Sequence, residues 1–313
     1  MSATKKVALL GECMLELQGQ AFGAMNQTFG GDTLNTAVYL SRCGSGLEVC
    51  YATGLGEDSL STGLIQRWQT ENLDCSLVRR IAGRMPGLYL IEVDERGERS
   101  FSYWRDTSAA KAYFETAATP LEEREAEWDC LYLSGISLAI LPPAGRERVF
   151  ALMQRLRQRG AQVVFDNNYR PRLWPDIAVA RECFARAFEL ATLALLTADD
   201  HQALLGLPRV DEAVALAKQL PAPELVIKRG AQPTLLRAPG QDWTEVATER
   251  VERVVDTTAA GDSFAAGYLS RRLAGAPAVE AAAFANRLAA RVIQHRGALI
   301  PREAMAELMA VKA

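Results

Sequence analysis

Histidine is nearly absent from this chain. Two in 313 residues, His201 and His295, are far apart and show no zinc spacing, so a histidine-built metal centre is not expected. Paired cysteines are missing too. Cys13, Cys43, Cys50, Cys75, Cys130 and Cys183 include no C-x-x-C, and most sit in apolar surroundings. Reduced, buried thiols are expected rather than disulfides or metal ligands. Positive charge is not in excess. The formal net charge is -3, which gives no basic field for nucleic acid. No uncharged run reaches the roughly 20 residues of a membrane span. The opening Met1-Ser2-Ala3-Thr4-Lys5-Lys6 leads only to a short apolar run that Gly11-Glu12 interrupts, unlike a secretory signal. A cytoplasmic protein with no membrane or nucleic-acid partner is the expectation. There is no fixed-period repeat, low-complexity tract or long linker.

What is present is ordinary globular composition, 49% hydrophobic and 23% charged, long enough for one large α/β domain or two smaller ones. Short apolar runs predict strands at 7–10, 49–53, 130–133, 162–165, 193–197 and 225–228, with two more short strands within 234–246. Helical patterns fall between them, to about Cys43, near 60–70 and near 143–159. Further helices are expected over 279–294 and from Pro301. Such alternation predicts a doubly wound, mostly parallel sheet between helices. Two stretches break the pattern. Residues 13–29 carry weak strands, and 88–93 with 100–105 read as a hairpin around a polar turn at 94–99. Together they predict a small sheet acting as a lid, with segments 12–29 and 85–107. Tyr89, Tyr103 and Arg105 alternate along it, so Tyr103 and Arg105 are expected on one face.

The chemistry concentrates in Asp256-Thr257-Thr258-Ala259-Ala260-Gly261-Asp262-Ser263-Phe264, a loop opening a helix. Asp262 and Ser263 are cap candidates, and Gly261 can adopt a positive φ. The amides of Ala259, Ala260, Gly261 and Asp262 at a helix start favour negative charge. A carboxylate in the same place argues against simple phosphate binding. It suits a site that moves a phosphoryl group, where Asp262 takes the proton of the attacking hydroxyl. The bland alternative is a capped helix.

Three other loops carry polar groups. Gly30-Gly31-Asp32-Thr33-Leu34-Asn35 opens a helix capped by Asp32 or Thr33, and Asp32 and Asn35 can hydrogen-bond hydroxyls. Asp166-Asn167-Asn168-Tyr169-Arg170 follows a strand, where open α/β sheets place ligands. Lys228-Arg229-Gly230 follows another strand.

Asp256, Thr257, Ala260, Gly261, Asp262, Phe264 and Gly267 match D-T-x-x-A-G-D-x-F-x-x-G, and Gly30 to Asn35 resembles G-G-x-x-x-N. These are the two signatures of the ribokinase-like (PfkB) carbohydrate kinases, and the resemblance covers essentially the whole chain as a single domain. It implies a three-layer α/β/α fold with a small β-sheet lid, and the substrates ATP and a sugar. It implies Asp262 as general base and Gly30, Gly31, Asp32 and Asn35 in the sugar pocket. Asn168, Lys228, Gly230 and Thr257 would line the nucleotide phosphates together with Ala259 and Gly261, and Ala283 and Asn286 would lie near the adenine. Magnesium would arrive with ATP. Thr197 and Asp200 stand where many members carry N-x-x-E, so Asp200 can touch the metal through water. A monovalent-cation requirement stays open. A homo-oligomer, with a dimer favoured, is implied by analogy.

Within the family the chain looks most like the members acting on 2-keto-3-deoxygluconate. That implies phosphorylation at the C6 hydroxyl of 2-dehydro-3-deoxy-D-gluconate. Arg105 and Arg170 are the cations an acid substrate needs, while Tyr89 and Tyr103 pack its carbon chain. The alternatives are a fructokinase or ribokinase of the same family, or a kinase-like sugar-binding regulator.

Overall fold

The strands are buried on both sides, and alternate residues feed different cores. Val7 and Leu9 belong to one hydrophobic cluster, Ala8 and Leu10 to the other. Leu193 and Leu195 against Ala194 and Leu196 repeat the division. A sheet sandwiched between two helix layers follows, because side chains alternate across a strand with period 2.

The structure, a computed structural model, describes residues 4–20, 22–93 and 99–310. After β1 (Lys5–Leu10) the chain leaves the main sheet for β2 (Met14–Gly19) and β3 (Met25–Gly30). It returns through α1 (Asp32–Cys43) to β4 (Leu47–Leu55), α2 (Ser59–Thr70) and β5 (Val78–Arg80). The hairpin β6 (Gly87–Val93) and β7 (Arg99–Trp104) comes next, then α3 (Pro120–Glu123). The second half runs β8 (Cys130–Ser134), α4 (Gly135–Ala139), α5 (Pro143–Gln158), β9 (Gln162–Asp166), α6 (Ile177–Leu190) and β10 (Leu193–Thr197). It continues through α7 (Ala198–Leu205), α8 (Val210–Ala217), β11 (Glu224–Arg229), β12 (Gln232–Arg237) and β13 (Thr244–Val246). It closes with α9 (Ala260–Leu273), α10 (Ala278–Val292) and α11 (Ala306–Ala310). The predicted turn residues 94–98 lie outside the described residues.

The large sheet has the order β13-β12-β11-β10-β9-β8-β1-β4-β5. It is parallel from β11 to β5, with β12 and β13 antiparallel at one edge. Strand order reverses beside β1: the chain fills one side with β4 and β5, the other with β8 to β11. That reversal opens a crevice at the carboxyl ends of the strands. The small sheet, β3-β2-β6-β7, rises from the same end, since β2 begins four residues after β1. The three-layer fold and the second sheet are as expected. No helix among the described residues is long and apolar enough to cross a membrane.

Helices α1, α9 and α10 form the layer behind the crevice, within the same core as Val7 and Leu9. α9 and α10 touch closely at Gly267, where a Cβ would come 3.1 Å from the Cα of Ala285. The six cysteines are free; Cys75 is half-buried and the others are buried.

Candidate active site

Both helix starts at the crevice differ from the caps expected of them. The N-cap of α1 is Gly31, with no side-chain cap, because Gly31 passes so close to the segment after β1 that a Cβ there would lie 2.1 Å from the carbonyl of Glu12. Asp32 and Thr33 are thereby inside the helix. Thr33 turns to the Tyr51 hydroxyl at 3.2 Å. Asp32 accepts from Asn168 Nδ2 at 2.6 Å, reaching across to the loop after β9.

At α9 the N-cap is Ala259, again without a side-chain cap. The positive φ belongs to Ala259 at 60°, not to Gly261. Ser263 bonds back to the carbonyl of Ala260 at 3.0 Å. The loop before it is tied down by Asp256, which accepts from the Thr258 amide at 3.0 Å, the Thr258 hydroxyl at 2.7 Å and the Gly297 amide at 3.0 Å. One amide of the expected anion hole is already used: Ala260 N–H donates to the Thr257 carbonyl at 3.2 Å. Gly261 and Asp262 remain in the first turn, where N–H groups have no helical carbonyl behind them.

A cavity of about 480 Å³ lies between these helix starts, the strand ends and the small sheet. Gly30, Gly31, Asp32 and Asn35 line it from the start of α1, and Thr257 to Asp262 from the start of α9. Asn168, Arg170, Thr197, Asp200 and Lys228 come from the strand ends, and Met14, Tyr89, Phe101 and Tyr103 from the small sheet. The sheet's two tyrosines are stacked, with centroids 5.9 Å apart.

Asp262 meets Asn35 there. Asn35 Nδ2 donates to Asp262 Oδ2 at 2.9 Å, and the Thr36 hydroxyl donates to the Asp262 carbonyl at 3.3 Å. Asn35 Oδ1 is buried with no hydrogen-bond partner among the described residues. Four carboxylates, Asp32, Asp166, Asp200 and Asp262, line this cavity with two cations, Lys228 and Arg170. The imbalance shows in the acids. Burial first, and then the charge of Asp32, push the Asp262 carboxyl up to about 8. Burial likewise raises Asp32 and Asp200.

Several expected residues stand elsewhere. Arg105 lies one residue past β7 and does not share the cavity with Tyr103. It is buried in an ion pair with Glu12, two residues past β1. Asn286 is committed within the fold, accepting from Thr234 at 2.9 Å and donating to the Ala247 carbonyl at 3.0 Å. Neither it, nor the neighbouring Ala283, nor Gly230 in the β11–β12 turn lines the cavity. Two polar contacts at and beside the cavity were missed from sequence. Asp166 was read as part of a polar loop, yet it pairs with Lys228 at 2.9 Å in the cavity wall. Glu16, on β2, accepts from the Tyr89 hydroxyl. The polar residue ending β9 was a visible signal for Asp166; the cross-sheet partner of Tyr89 had none.

The family description "pfkB family carbohydrate kinase" matches residues 4–305. The chain belongs to this family. A 2-dehydro-3-deoxygluconokinase of Escherichia coli (strain K12) is 46% identical over 307 residues, covering 96% of this chain and 99% of the relative. The Haemophilus influenzae protein of the same name is 39% identical, covering 97% and 98%. Among solved structures, a fructokinase with bound ATP from Xylella fastidiosa superposes with a TM-score of 0.81 at 23% identity, over 98% of each chain.

Proposed function

We propose that this family member is a 2-dehydro-3-deoxygluconokinase, which transfers the γ-phosphoryl group of ATP to the C6 hydroxyl of 2-dehydro-3-deoxy-D-gluconate. The single observation that carries the reading is the placement of Asp262. It is a raised carboxylate in the first turn of α9, opposite the sugar-pocket residue Asn35, beside free N–H groups. A base with affinity for a proton near neutral pH can accept one from an attacking hydroxyl.

In this mechanism Asp262 takes the C6 hydroxyl proton as the oxygen attacks the γ-phosphorus, and ADP leaves with the electrons of the broken P–O bond. The Gly261 and Asp262 amides and Lys228 stabilise charge on the transferred group. Gly30, Gly31, Asp32 and Asn35 hold the sugar hydroxyls, with the orphaned Asn35 oxygen accepting from one. Arg170 takes the substrate carboxylate, joined by Arg105 when released from Glu12. Tyr89 and Tyr103 cover the carbon chain, and the small sheet acts as the lid that excludes water.

Asn168, Thr257, Ala259 and Lys228 face the ATP phosphates. Magnesium bound to ATP would supply charge neutralisation, and the excess of carboxylates in the cavity fits a cation; Asp200 can hold one of its waters. A cytoplasmic homodimer completes the reading by analogy with the family.

The test is a coupled ADP-release assay with Mg-ATP, comparing 2-keto-3-deoxygluconate, gluconate, fructose and ribose. Turnover confined to the keto acid is expected. Turnover on a neutral sugar instead would discard the acid pocket, and none on any substrate would discard the kinase.

A further inference from the structure

Asp166 has no part in the mechanism above, although it lines the cavity and is buried. It is the last residue of β9, whereas Lys228 is on β11, two strands away. The strand between them, β10, pairs Leu195 with Asp166 and Thr197 with Lys228. The two side chains therefore meet over the end of β10. Nζ is 2.9 Å from Oδ2, with side chains 11% and 7% exposed. The other oxygen, Oδ1, accepts the Asn168 amide at 3.2 Å, so the carboxylate is fixed at both ends. The ammonium in turn lies against α9: a Cβ on Gly261 would sit 3.4 Å from Nζ.

Asp262 is the next residue in that turn. A lysine is a point charge on a flexible stem, and one left without a partner in a buried site moves to the nearest carboxylate or loses its proton. Without Asp166 two other carboxylates feel the ammonium, Asp200 and Asp262; Asp200 already pairs with Arg170 at 3.2 Å, which leaves the base as the unpaired partner. A base paired with lysine has its oxygen covered, and the lysine is withdrawn from the phosphoryl group.

We infer that Asp166 is a positioning residue, which holds the Lys228 ammonium at the start of α9 and keeps it off the Asp262 carboxylate. The inference rests on the kinase reading and deepens it. Around Asp262 stand Asp32 from α1, Asp166 from β9 and Lys228 from β11, with the phenols of Tyr39 and Tyr132, which burial keeps neutral. Loss of Asp166 removes one negative neighbour and brings the positive one closer. Both changes favour the charged base.

The test begins with wild-type turnover of 2-keto-3-deoxygluconate; failure there overturns the kinase reading, not this pair. Asp166→Asn, Lys228→Met and the double variant are then compared. Asparagine keeps the shape and the oxygen that accepts from Asn168. Asp166→Asn should lower kcat at least about tenfold. It should also move the rising limb of kcat against pH to lower pH, while Lys228→Met moves it up. The double variant should be no slower than Lys228→Met alone, because Asp166 acts through the lysine. A double variant slowed by the product of the two single effects overturns the inference, as does unchanged kcat in Asp166→Asn. A raised magnesium requirement in Asp166→Asn also overturns it, making Asp166 a metal ligand. If Asp166→Asn does not fold alone, the Lys228→Met background leaves no unpaired charge. There, a kcat equal to that of Lys228→Met supports the inference and a further tenfold loss defeats it.

Discussion

Asn35 and Asp262 lie 227 residues apart in the chain, and Nδ2 of the first is 2.9 Å from Oδ2 of the second. The bond joins the first turn of α1 to the first turn of α9, the two helix starts that face each other across the cavity. It engages one oxygen of the carboxylate, Oδ2. In the proposed mechanism the same amide orients the base and, through its buried oxygen, receives the sugar.

Asp262→Asn keeps that geometry and removes the base. ATP affinity, measured by calorimetry, should stay nearly unchanged, whereas kcat should fall by roughly 10² or more. An undiminished kcat would remove Asp262 from the base role. A stability gain should accompany the loss. The folded carboxyl, raised to about 8, binds a proton between its unfolded value and there, so the wild-type protein loses stability as pH rises through that window. The asparagine carries no such liability, and its melting temperature at pH 8 should exceed that of the wild type.

The same raised carboxyl sets the pH dependence of turnover. With Asp262 as the proposed base, the free enzyme needs it deprotonated, so kcat/KM should rise with pH through a limb well above the ordinary carboxylate range. Asp32→Asn removes the charge that, after burial, raises it most, and the limb should move down. A limb near pH 4 in the wild type would contradict the electrostatics described.

Much of this was legible in the sequence, for reasons particular to each element. The β1, β9 and β10 strands show as apolar runs because both faces are buried, and the helix starts show as glycine and small residues. Local signals carried no further than that. The caps were misjudged because Gly31 is there for a close crossing with Glu12, a contact between segments that the turn chemistry does not reveal. Gly261 appeared to supply a positive φ that Ala259 supplies instead. Arg105 read as a free cation because its partner, Glu12, lies 93 residues away in the connection between β1 and β2. Ion pairs of this kind depend on topology, and no spacing predicts them.

His201 offers a test of the fold apart from catalysis. It is buried on α7 against Phe188, with Nδ1 unpartnered among the described residues, and burial lowers its pKa to about 4. The unfolded chain binds a proton at its ordinary value near 6.5, so between there and about 4 the unfolded state holds more protons. Stability should fall as pH falls through that window, by an amount on the order of 3 kcal/mol at its lower end. His201→Leu should flatten this part of the profile, measured by urea denaturation at pH 4.5 and 7. An equal acid loss in the variant would assign the sensitivity to other groups.

Arg105 makes the sharpest distinction between a structural and a substrate-binding cation. Its pair with Glu12 is buried on both sides, with Glu12 Oε1 and Arg105 Nε lacking partners among the described residues. Arg105→Ala alone would strand a buried carboxylate, at a cost of about 3–5 kcal/mol. Lost activity in that variant would therefore say little about the substrate. Glu12→Gln combined with Arg105→Gln removes both charges and should recover most of the stability, because two amides of similar shape can bond each other. If the arginine also receives the substrate carboxylate, the folded double variant should show a KM for 2-keto-3-deoxygluconate raised at least about tenfold, with the KM for ATP unchanged. An unchanged KM for the keto acid would confine Arg105 to joining the small sheet to β1 and leave Arg170 as the cation that reads the acid.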